Sequence, residues 1–475
     1  MAFVSCVAVN FAIVQRAIAV DIEFDRSMND RSIASKVRKA IDRSIRDGSI
    51  SMKDGVAIGD RCSPANGKCG VVAMRGVEKA TRAIAVKQSR VISIANVDEE
   101  LRAVANALRV ERGGDDVGAM MLTLMYEKYE LGERSKFWDD IRTFPEEYDC
   151  ATFWSEGNAR ELSGSDSLEY DVAEEYAKVR AVWRGLTKNV FDVYKDVFKN
   201  SAVRSWHATR WAWTTTHARA RRVRGLDGLA IVPVIDMMHE CAGNESTSGD
   251  DEANEDLGHA VYDHHSDSVV VYARRSYAPG EEVCGRFGGL NNFDSIQHLG
   301  YLPNVDESDP RNCALFVMKA RDEFKEKVTN AGFATPWRAC VSANSRNQSL
   351  DMLAAFIELA EGRDVKVSAD GVPYEVPKNA LLEYLKIRIG RYPTTLADDA
   401  TAIDDMRESV NDFNERLASD DLEVLERAQM EIHLANARRG VLAVEFRMRE
   451  KKILAALVKR VEAELTSAAS SRDEL

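Results

Sequence analysis

The chain has 475 residues, which is too long for one compact hydrophobic core and predicts two or three domains. Its hydrophobic content of 45% is ordinary for a globular protein. A net charge of −13 disfavours nucleic-acid binding, because that binding depends on Lys and Arg neutralising phosphates. We therefore expect no nucleic-acid partner, whereas a basic protein target stays compatible with the charge.

Eight cysteines are spread along the chain, and Cys62 and Cys69 form the closest pair. Their distribution shows neither the paired spacing of a zinc site nor the density of a disulfide scaffold. We therefore expect mostly free thiols in a reducing compartment. Two histidines lie between acids at 263–267 (DHHSD), but the flanking runs are β-rich, so a polar hairpin turn is favoured there over a metal site. We predict no metal ligands.

The two ends of the chain bear on its compartment. The first residues, MAFVSCVAVNFAIVQRAIA, have the apolar length of a signal peptide but lack a basic leading segment. The last residues, SRDEL, are close to a KDEL-type retrieval signal. Cytoplasm or chloroplast is the expected location, and the endoplasmic reticulum stays open as an alternative. No segment has the length and continuity of a membrane span, so we expect no stable membrane insertion.

The first half of the chain alternates short β-rich runs with helices. A polar segment over 24–60 contains a helical patch and predicts a mobile lead-in. Two β-rich runs follow at 70–73 and 90–95. Apolar residues at helical spacing then predict helices at 98–112 and 116–131.

Residues 204–304 carry the most informative pattern. A Trp-rich helix is followed by an apolar strand that ends at Asp236, and then by an acidic loop at 243–258. A β-hairpin comes next, and a Gly-rich turn leads from it into another helix. From residue 312 onward the pattern is almost wholly helical.

These segments resemble SET-domain methyltransferases of the Rubisco large-subunit type. The most specific match is the string of aromatic residues, Pro and Gly from Phe137 to Ser165, which resembles the insert that splits that SET domain. The resemblance implies an α+β fold with a split SET domain, made of small β-sheets and a helical insert, followed by an all-α substrate-binding domain. The implied boundaries are a lead-in at 1–61, the SET domain at 62–310 with its insert at about 100–198, the helical domain at 312–465 and a tail at 466–475.

The resemblance implies S-adenosylmethionine as cofactor and methyl transfer to a lysine of a non-histone protein, with a histidine as a second option for the acceptor. The protein substrate would dock on the helical domain of a monomeric enzyme. The implied cofactor-binding residues are Gly76, Arg219, Asp236, His239, Glu240, Asn292 and Leu299. Phe287 occupies the position of the family tyrosine at the methyl-transfer channel and is the implied catalytic position.

Five positions of this pocket differ from the usual family residues. Ala218 replaces a serine, His239 an asparagine, Glu240 a histidine and Leu299 a tyrosine, while Phe287 keeps an aromatic ring without the hydroxyl. Loss of two or three neutral hydrogen bonds, at about 0.5–1.5 kcal/mol each, would weaken cofactor binding roughly ten- to a thousandfold. The alternative function is therefore a SET-fold module that binds a protein and has lost catalysis.

Overall fold

A computed structural model describes residues 30–60, 62–63, 68–111, 115–167, 172–241, 256–286, 290–302, 309–366, 373, 376–419 and 421–473. The apolar N-terminal run, nearly all of the acidic loop and Phe287 lie outside these residues. The strands are β1 Ile50–Met52, β2 Val56–Ile58, β3 Val71–Ala73, β4 Arg82–Lys87, β5 Ile92–Ser93, β6 Arg221–Arg222, β7 Leu229–Ile231, β8 Ala260–Asp263, β9 Ser268–Tyr272, β10 Cys313–Met318 and β11 Trp337–Ser342.

Helices lie in the N-terminal lead-in, the insert region, the SET core and the C-terminal part of the chain. They are α1 Asp30–Arg46, α2 Glu99–Glu111, α3 Asp116–Met125, α4 Trp138–Ile141, α5 Glu156–Arg160, α6 Ala173–Leu186, α7 Trp206–Arg219, α8 Asn292–His298, α9 Lys325–Asn330, α10 Asn347–Ala360, α11 Asn379–Gly390, α12 Leu396–Leu417 and α13 Val424–Asp473. The predictions at 98–112 and 116–131 correspond to α2 and to α3 with the turn of π-helix after it.

Small antiparallel sheets form the SET core. The largest has the strand order β1-β4-β9-β8, and the others pair β2 with β3 and place β7 between β5 and β6. The predicted hairpin is β8–β9, in which Asp263 pairs with Ser268. Asp263 accepts hydrogen bonds from the backbone N–H of His265 and the hydroxyl of Ser266, so the DHHSD segment is a polar turn. The apolar run of β9 is buried because β9 is a central strand.

The mobile lead-in expected over 24–60 is wrong for its described part. Helix α1 buries Val37 and Ile41 at 1% and 4% exposure, and β1 pairs with β4 through the whole length of β1. Strand β2 pairs with β3 in the same way. These strands have three residues each, which is too short for an alternating pattern to stand out in the sequence.

The insert and helix α7 share one hydrophobic core. Trp211 on α7 is fully buried and its indole N–H donates to the carbonyl of Pro145 at 2.9 Å. Phe137 and Tyr148 from the insert are buried in the same cluster. Ser205 begins α7 because its hydroxyl accepts the backbone N–H of Ala208. The aromatic string thus encodes packing that fixes the direction of α7.

The C-terminal domain is mostly helical but opens with the β10–β11 hairpin, which the sequence pattern did not predict. Helices α12 and α13 then pack along each other. An ionic contact ties this domain to the insert, because Asp149 accepts from Arg438 at 2.9 Å and from Arg439 at 3.3 Å. Among the described residues, no helix combines the length and apolar composition needed to cross a membrane.

The expectation of mostly free thiols is wrong for the described cysteines. Disulfides join Cys62 to Cys69, Cys241 to Cys284 and Cys313 to Cys340, and Cys150 is a buried free thiol. Two of the bridges join positions 43 and 27 residues apart. Pairing over such separations is set by the fold and cannot be deduced from cysteine spacing alone.

Candidate active site

A buried ion pair lies at the centre of the candidate site. Arg219 is the last residue of α7, and Asp236 lies in the short turn of 3₁₀-helix that follows β7. The Arg219 Nη1 donates to Asp236 Oδ2 at 2.6 Å, and the two side chains are 0% and 2% exposed. Burial alone would lower the pKa of Arg219, but the Asp236 carboxylate outweighs burial and raises it. The Arg219 guanidinium therefore keeps its charge, and its contact with Asp236 fixes α7 against the turn.

His239 and Glu240 follow this turn and face different partners. His239 Nδ1 is hydrogen-bonded to the carboxylate of Glu282, and its ring packs edge-on against Tyr301 with centroids 6.1 Å apart. Glu240 forms an isolated β-bridge with Gly285. The disulfide between Cys241 and Cys284 closes the same pair of segments. Both substituted positions are thus held by their backbone at one edge of the site.

Gly70 brings a second segment of the chain against His239. Its φ is +68°, a conformation that favours glycine. A Cβ added at this position would lie 2.9 Å from Glu282 Oε1 and 3.6 Å from His239 Nδ1. By contrast, Gly76 is exposed, and a Cβ there would meet no other atom within 4 Å. Of the two glycines, Gly70 is therefore the one that lies against Glu282 and His239.

Lys68 is buried, with 3% of its surface exposed, and the charges of Arg219 and Asp236 act on it. Burial lowers its pKa well below the usual value for lysine, and the positive charges of Arg221 and Arg219 lower it further. The carboxylates of Asp236 and Glu240 oppose this shift. The site therefore concentrates cationic and anionic groups in a space of low solvent exposure.

Three further residues were predicted for the site: Asn292, Leu299 and Phe287. Asn292 is buried, and its side-chain amide donates to Asn312 Oδ1 at 2.8 Å. Its backbone N–H donates to the carbonyl of Arg311, whose guanidinium reaches the carbonyl of Cys241 at 3.0 Å. Leu299 is buried in the core shared by the insert and α7. Phe287 lies outside the described residues.

The donor set fits a zwitterionic ligand such as the amino-acid part of S-adenosylmethionine. Asp236 Oδ1 and Asn292 Oδ1 are buried oxygens without a hydrogen-bond partner among the described residues. Such oxygens suit the ligand's amino group, because an unsatisfied buried acceptor is costly. Arg221 is a cation that suits its carboxylate, and Gly70 keeps the space beside His239 free of a Cβ. No described group of three or more His, Cys, Asp and Glu residues is arranged to hold a metal ion.

Sequence reasoning missed Lys68, Gly70 and Glu282. The signals were weak: Gly70 was only the start of a β-rich run, and Lys68 was one charged residue in a polar stretch. The proximity of Cys62 and Cys69 was the one local indication that this stretch is ordered.

Comparisons with known proteins identify the fold. Residues 375–454 match the Rubisco LSMT substrate-binding family. The solved SET domain of LSMT bound to lysine and AdoHcy superposes with a TM-score of 0.62 at 17% identity, covering 92% of each chain. Rubisco LSMT bound to AdoMet gives 0.59 at 17% identity, covering 90% of this chain and 92% of the other. The chain has the SET-domain fold of Rubisco LSMT.

Two curated relatives share part of this SET-fold chain. Protein SET DOMAIN GROUP 40 of Arabidopsis thaliana is 21% identical over 276 residues, which cover 54% of this chain and 55% of that protein. An actin-histidine N-methyltransferase of Canis lupus familiaris is 23% identical over 204 residues, covering 40% of this chain and 31% of that protein. The chain thus spans about half the length of the first relative and about a third of the second.

Two segments resemble the Rubisco LSMT substrate-binding domain in sequence, Tyr392-Pro393-Thr394-Thr395 and Arg447-x-x-Glu450-Lys451. Their residues Tyr392, Glu450 and Lys451 are buried in the structure. Glu450 accepts from Arg388 and from the hydroxyl of Tyr392, each at 2.6 Å. Asp399 accepts from Arg447 and from Lys451, each at 2.7 Å. These motif residues therefore hold the helices of this domain together, and a docked protein would meet other side chains.

Proposed function

We propose that this SET-fold chain is an S-adenosylmethionine-dependent protein methyltransferase that acts on a lysine of a non-histone protein. The observation that carries the proposal is the buried cluster of Lys68, Gly70, Arg219 and Asp236. It places charged groups of both signs at the junction of α7 with the turn after β7. In the solved structures that share this fold, AdoMet or AdoHcy is bound.

The chain's residues would contribute mainly binding and positioning. S-adenosylmethionine, when bound, supplies a methyl group on a positively charged sulfur, and no metal is needed for its transfer. The Arg219–Asp236 pair fixes one wall of the site, since both side chains are buried and Arg219 donates to Asp236 at 2.6 Å. Gly70 and His239 lie against each other and would form a second wall. Rigid positioning of this kind can supply about 7–11 kcal/mol of a reaction barrier.

A specific observation also favours the alternative function. His239 and Glu240 stand where the resemblance implies asparagine and histidine, and His239 is hydrogen-bonded to Glu282. A carboxamide can donate and accept at once, whereas each nitrogen of a neutral imidazole does only one of these. A SET-fold module that binds a protein through its helical domain, without turnover, is therefore the second candidate.

Methyl incorporation distinguishes the two candidates. Purified full-length chain is mixed with a cell extract and S-adenosylmethionine labelled in its methyl group. Label in a protein band, recovered as methyl-lysine after hydrolysis, supports the proposal, and recovery as methyl-histidine changes the acceptor. Absence of label, together with specific capture of a protein by the chain, favours the binding module.

The Phe287→Tyr variant tests the assigned channel. This substitution adds the hydroxyl that the resemblance implies at the methyl-transfer channel. We expect a higher rate of label incorporation, although one weak contact of this type accounts for less than about tenfold. Phe293→Tyr is a matched control, because Phe293 packs in a separate core against Phe446. An unchanged rate of label incorporation in Phe287→Tyr would contradict the assignment of Phe287 to the methyl-transfer channel.

A further inference from the structure

A disulfide lies two residues beyond the hydrogen bond between His239 and Glu282. Cys241 and Cys284 follow these two residues along their own segments, and the bridge joins the segments there. Between the two links, the backbone N–H of Gly285 donates to the carbonyl of His239, and the N–H of Cys241 donates to the carbonyl of Gly285, each at 2.9 Å. The disulfide is therefore the covalent end of a short ladder at one edge of the candidate site.

The rest of the fold holds the two joined segments to different degrees. Segment 281–285 pairs with β3 through backbone hydrogen bonds of 2.7 and 2.9 Å. The backbone of segment 239–241 pairs with segment 281–285 instead, and the carbonyl of Cys241 also accepts from the guanidinium of Arg311 at 3.0 Å. Opening of the disulfide would therefore loosen segment 239–241 first, and this segment carries two of the predicted cofactor-binding residues.

One sulfur of this bridge lies closer to the solvent than the other. Cys241 is buried at 6% exposure, whereas Cys284 is only partly buried. An external thiolate would therefore attack the Cys284 sulfur and displace Cys241 as the leaving thiolate. By contrast, Cys62 and Cys69 are buried at 3% and 5% exposure, so their bridge presents no comparably open sulfur.

We propose that the Cys241–Cys284 disulfide is a redox switch of the candidate site. The oxidised bridge holds segment 239–241 in the form that binds the methyl donor, and reduction by a dithiol lowers the affinity. This inference rests on the proposed function, because it adds regulation to the same site.

The reducing step is a thiol–disulfide exchange. One thiolate of the dithiol attacks the Cys284 sulfur, and Cys241 leaves as a thiolate that takes up a proton. The second thiol of the reductant then displaces Cys284 from the mixed disulfide. Two electrons and two protons thus pass from the dithiol to the protein, and the dithiol becomes a disulfide. A disulfide such as oxidised glutathione reverses the step.

The test compares redox states of the full chain. Calorimetry measures S-adenosylhomocysteine binding before and after treatment with dithiothreitol, a dithiol, and alkylation followed by peptide mass spectrometry reports which cysteines are reduced. The double variant Cys241→Ala, Cys284→Ala lacks the bridge in both states. The matched control is Cys313→Ala, Cys340→Ala, because that bridge also joins distant positions but lies in the β10–β11 hairpin of the helical domain.

Reduction should weaken binding to the wild type about tenfold, as expected if segment 239–241 then holds its binding form about a tenth of the time. Oxidised glutathione should restore the affinity, and circular dichroism should be the same in both states. The Cys241→Ala, Cys284→Ala variant should bind as weakly as reduced wild type and ignore the reductant. The control variant should keep the response of the wild type. Should the alanine pair fail to fold, Cys241→Ser with Cys284→Ser takes its place with the same expectation.

Several outcomes would overturn the proposal. One is equal affinity in oxidised and reduced wild type, with Cys241 and Cys284 shown to be alkylated; another is a bridge that the folded protein keeps intact in dithiothreitol. A response that persists without this bridge, or disappears from the control, would belong to another disulfide. Loss of the fold on reduction would make the bridge a purely structural link. Failure of the oxidised wild type to bind S-adenosylhomocysteine would refute the proposed function itself, and the inference with it.

Discussion

Asp399 holds two cations inside the helical domain, so removal of its charge should destabilise that domain. Its side chain is fully buried and accepts from Arg447 Nη2 and Lys451 Nζ at 2.7 Å each. The two cationic side chains are themselves only 3% and 5% exposed. Asp399→Asn keeps the size of the side chain and removes the charge. Two buried cations would then lose their shared counter-ion.

The size of the fall in unfolding free energy depends on the hydrogen bonds that the two cations retain. Breaking a buried ion pair by removing one partner costs about 3–5 kcal/mol. Arg447 retains Glu161 Oε2 at 3.0 Å, and Lys451 retains the carbonyl of Thr394 at 2.6 Å. These surviving contacts favour the lower end of the range, so we expect the unfolding free energy to fall by about 3 kcal/mol.

Urea unfolding followed by circular dichroism measures this loss. Asp398→Asn is the matched control, because the neighbouring Asp398 is exposed and serves the N-terminus of α12 through Thr395. Asp398→Asn should lower the unfolding free energy by no more than about 1 kcal/mol. Equal losses in Asp399→Asn and Asp398→Asn would refute the view that the buried motif stabilises the domain.

Three further predictions concern the SET core. Gly70→Ala should weaken S-adenosylhomocysteine binding at least tenfold, as measured by calorimetry. Gly48→Ala is the control and should not weaken it, because Gly48 has a similar φ of +76° but open space around it. Equal affinities in the two variants would contradict the assignment of Gly70 to the wall of the site. Burial lowers the pKa of His298 to about 3, so between that pH and 6.5 the unfolded chain binds more protons. The unfolding free energy should therefore fall as the pH drops from 7 towards 4. In His298→Gln this fall should be less steep, by up to about 1 kcal/mol per pH unit. Identical slopes in the wild type and the variant would contradict the lowered pKa of His298. Alkylation of denatured, unreduced protein should label Cys150 and spare Cys241 and Cys284, and their labelling would contradict the disulfide.

The sequence predicted the parts of the fold that have strong local patterns. Helices α2 and α3 follow from apolar residues at helical spacing, and the β8–β9 hairpin follows from two β-rich runs around a polar turn. Strand β1 escaped prediction because three residues carry no clear period. The β10–β11 hairpin was missed because its apolar residues also fit a helix in an otherwise helical region.

The candidate site was predicted only where its residues lie in recognisable motifs. Arg219 and Asp236 were assigned from such motifs, and the structure joins them in one ion pair. The roles of Lys68 and Gly70 depend on contacts with residues more than 100 positions away in the chain, so no local pattern indicates them. Gly76, which was assigned from the resemblance of its turn to the family's, stays a prediction.

Binding of S-adenosylhomocysteine to the wild-type chain tests the central claim most directly. Ligand at about a hundred times its dissociation constant should stabilise the folded protein by about 2.7 kcal/mol, which a thermal melt detects as a higher midpoint. Asp236→Asn, which disrupts the buried pair, should abolish the ligand-dependent shift. A wild-type midpoint unchanged by millimolar S-adenosylhomocysteine and S-adenosylmethionine would contradict the account.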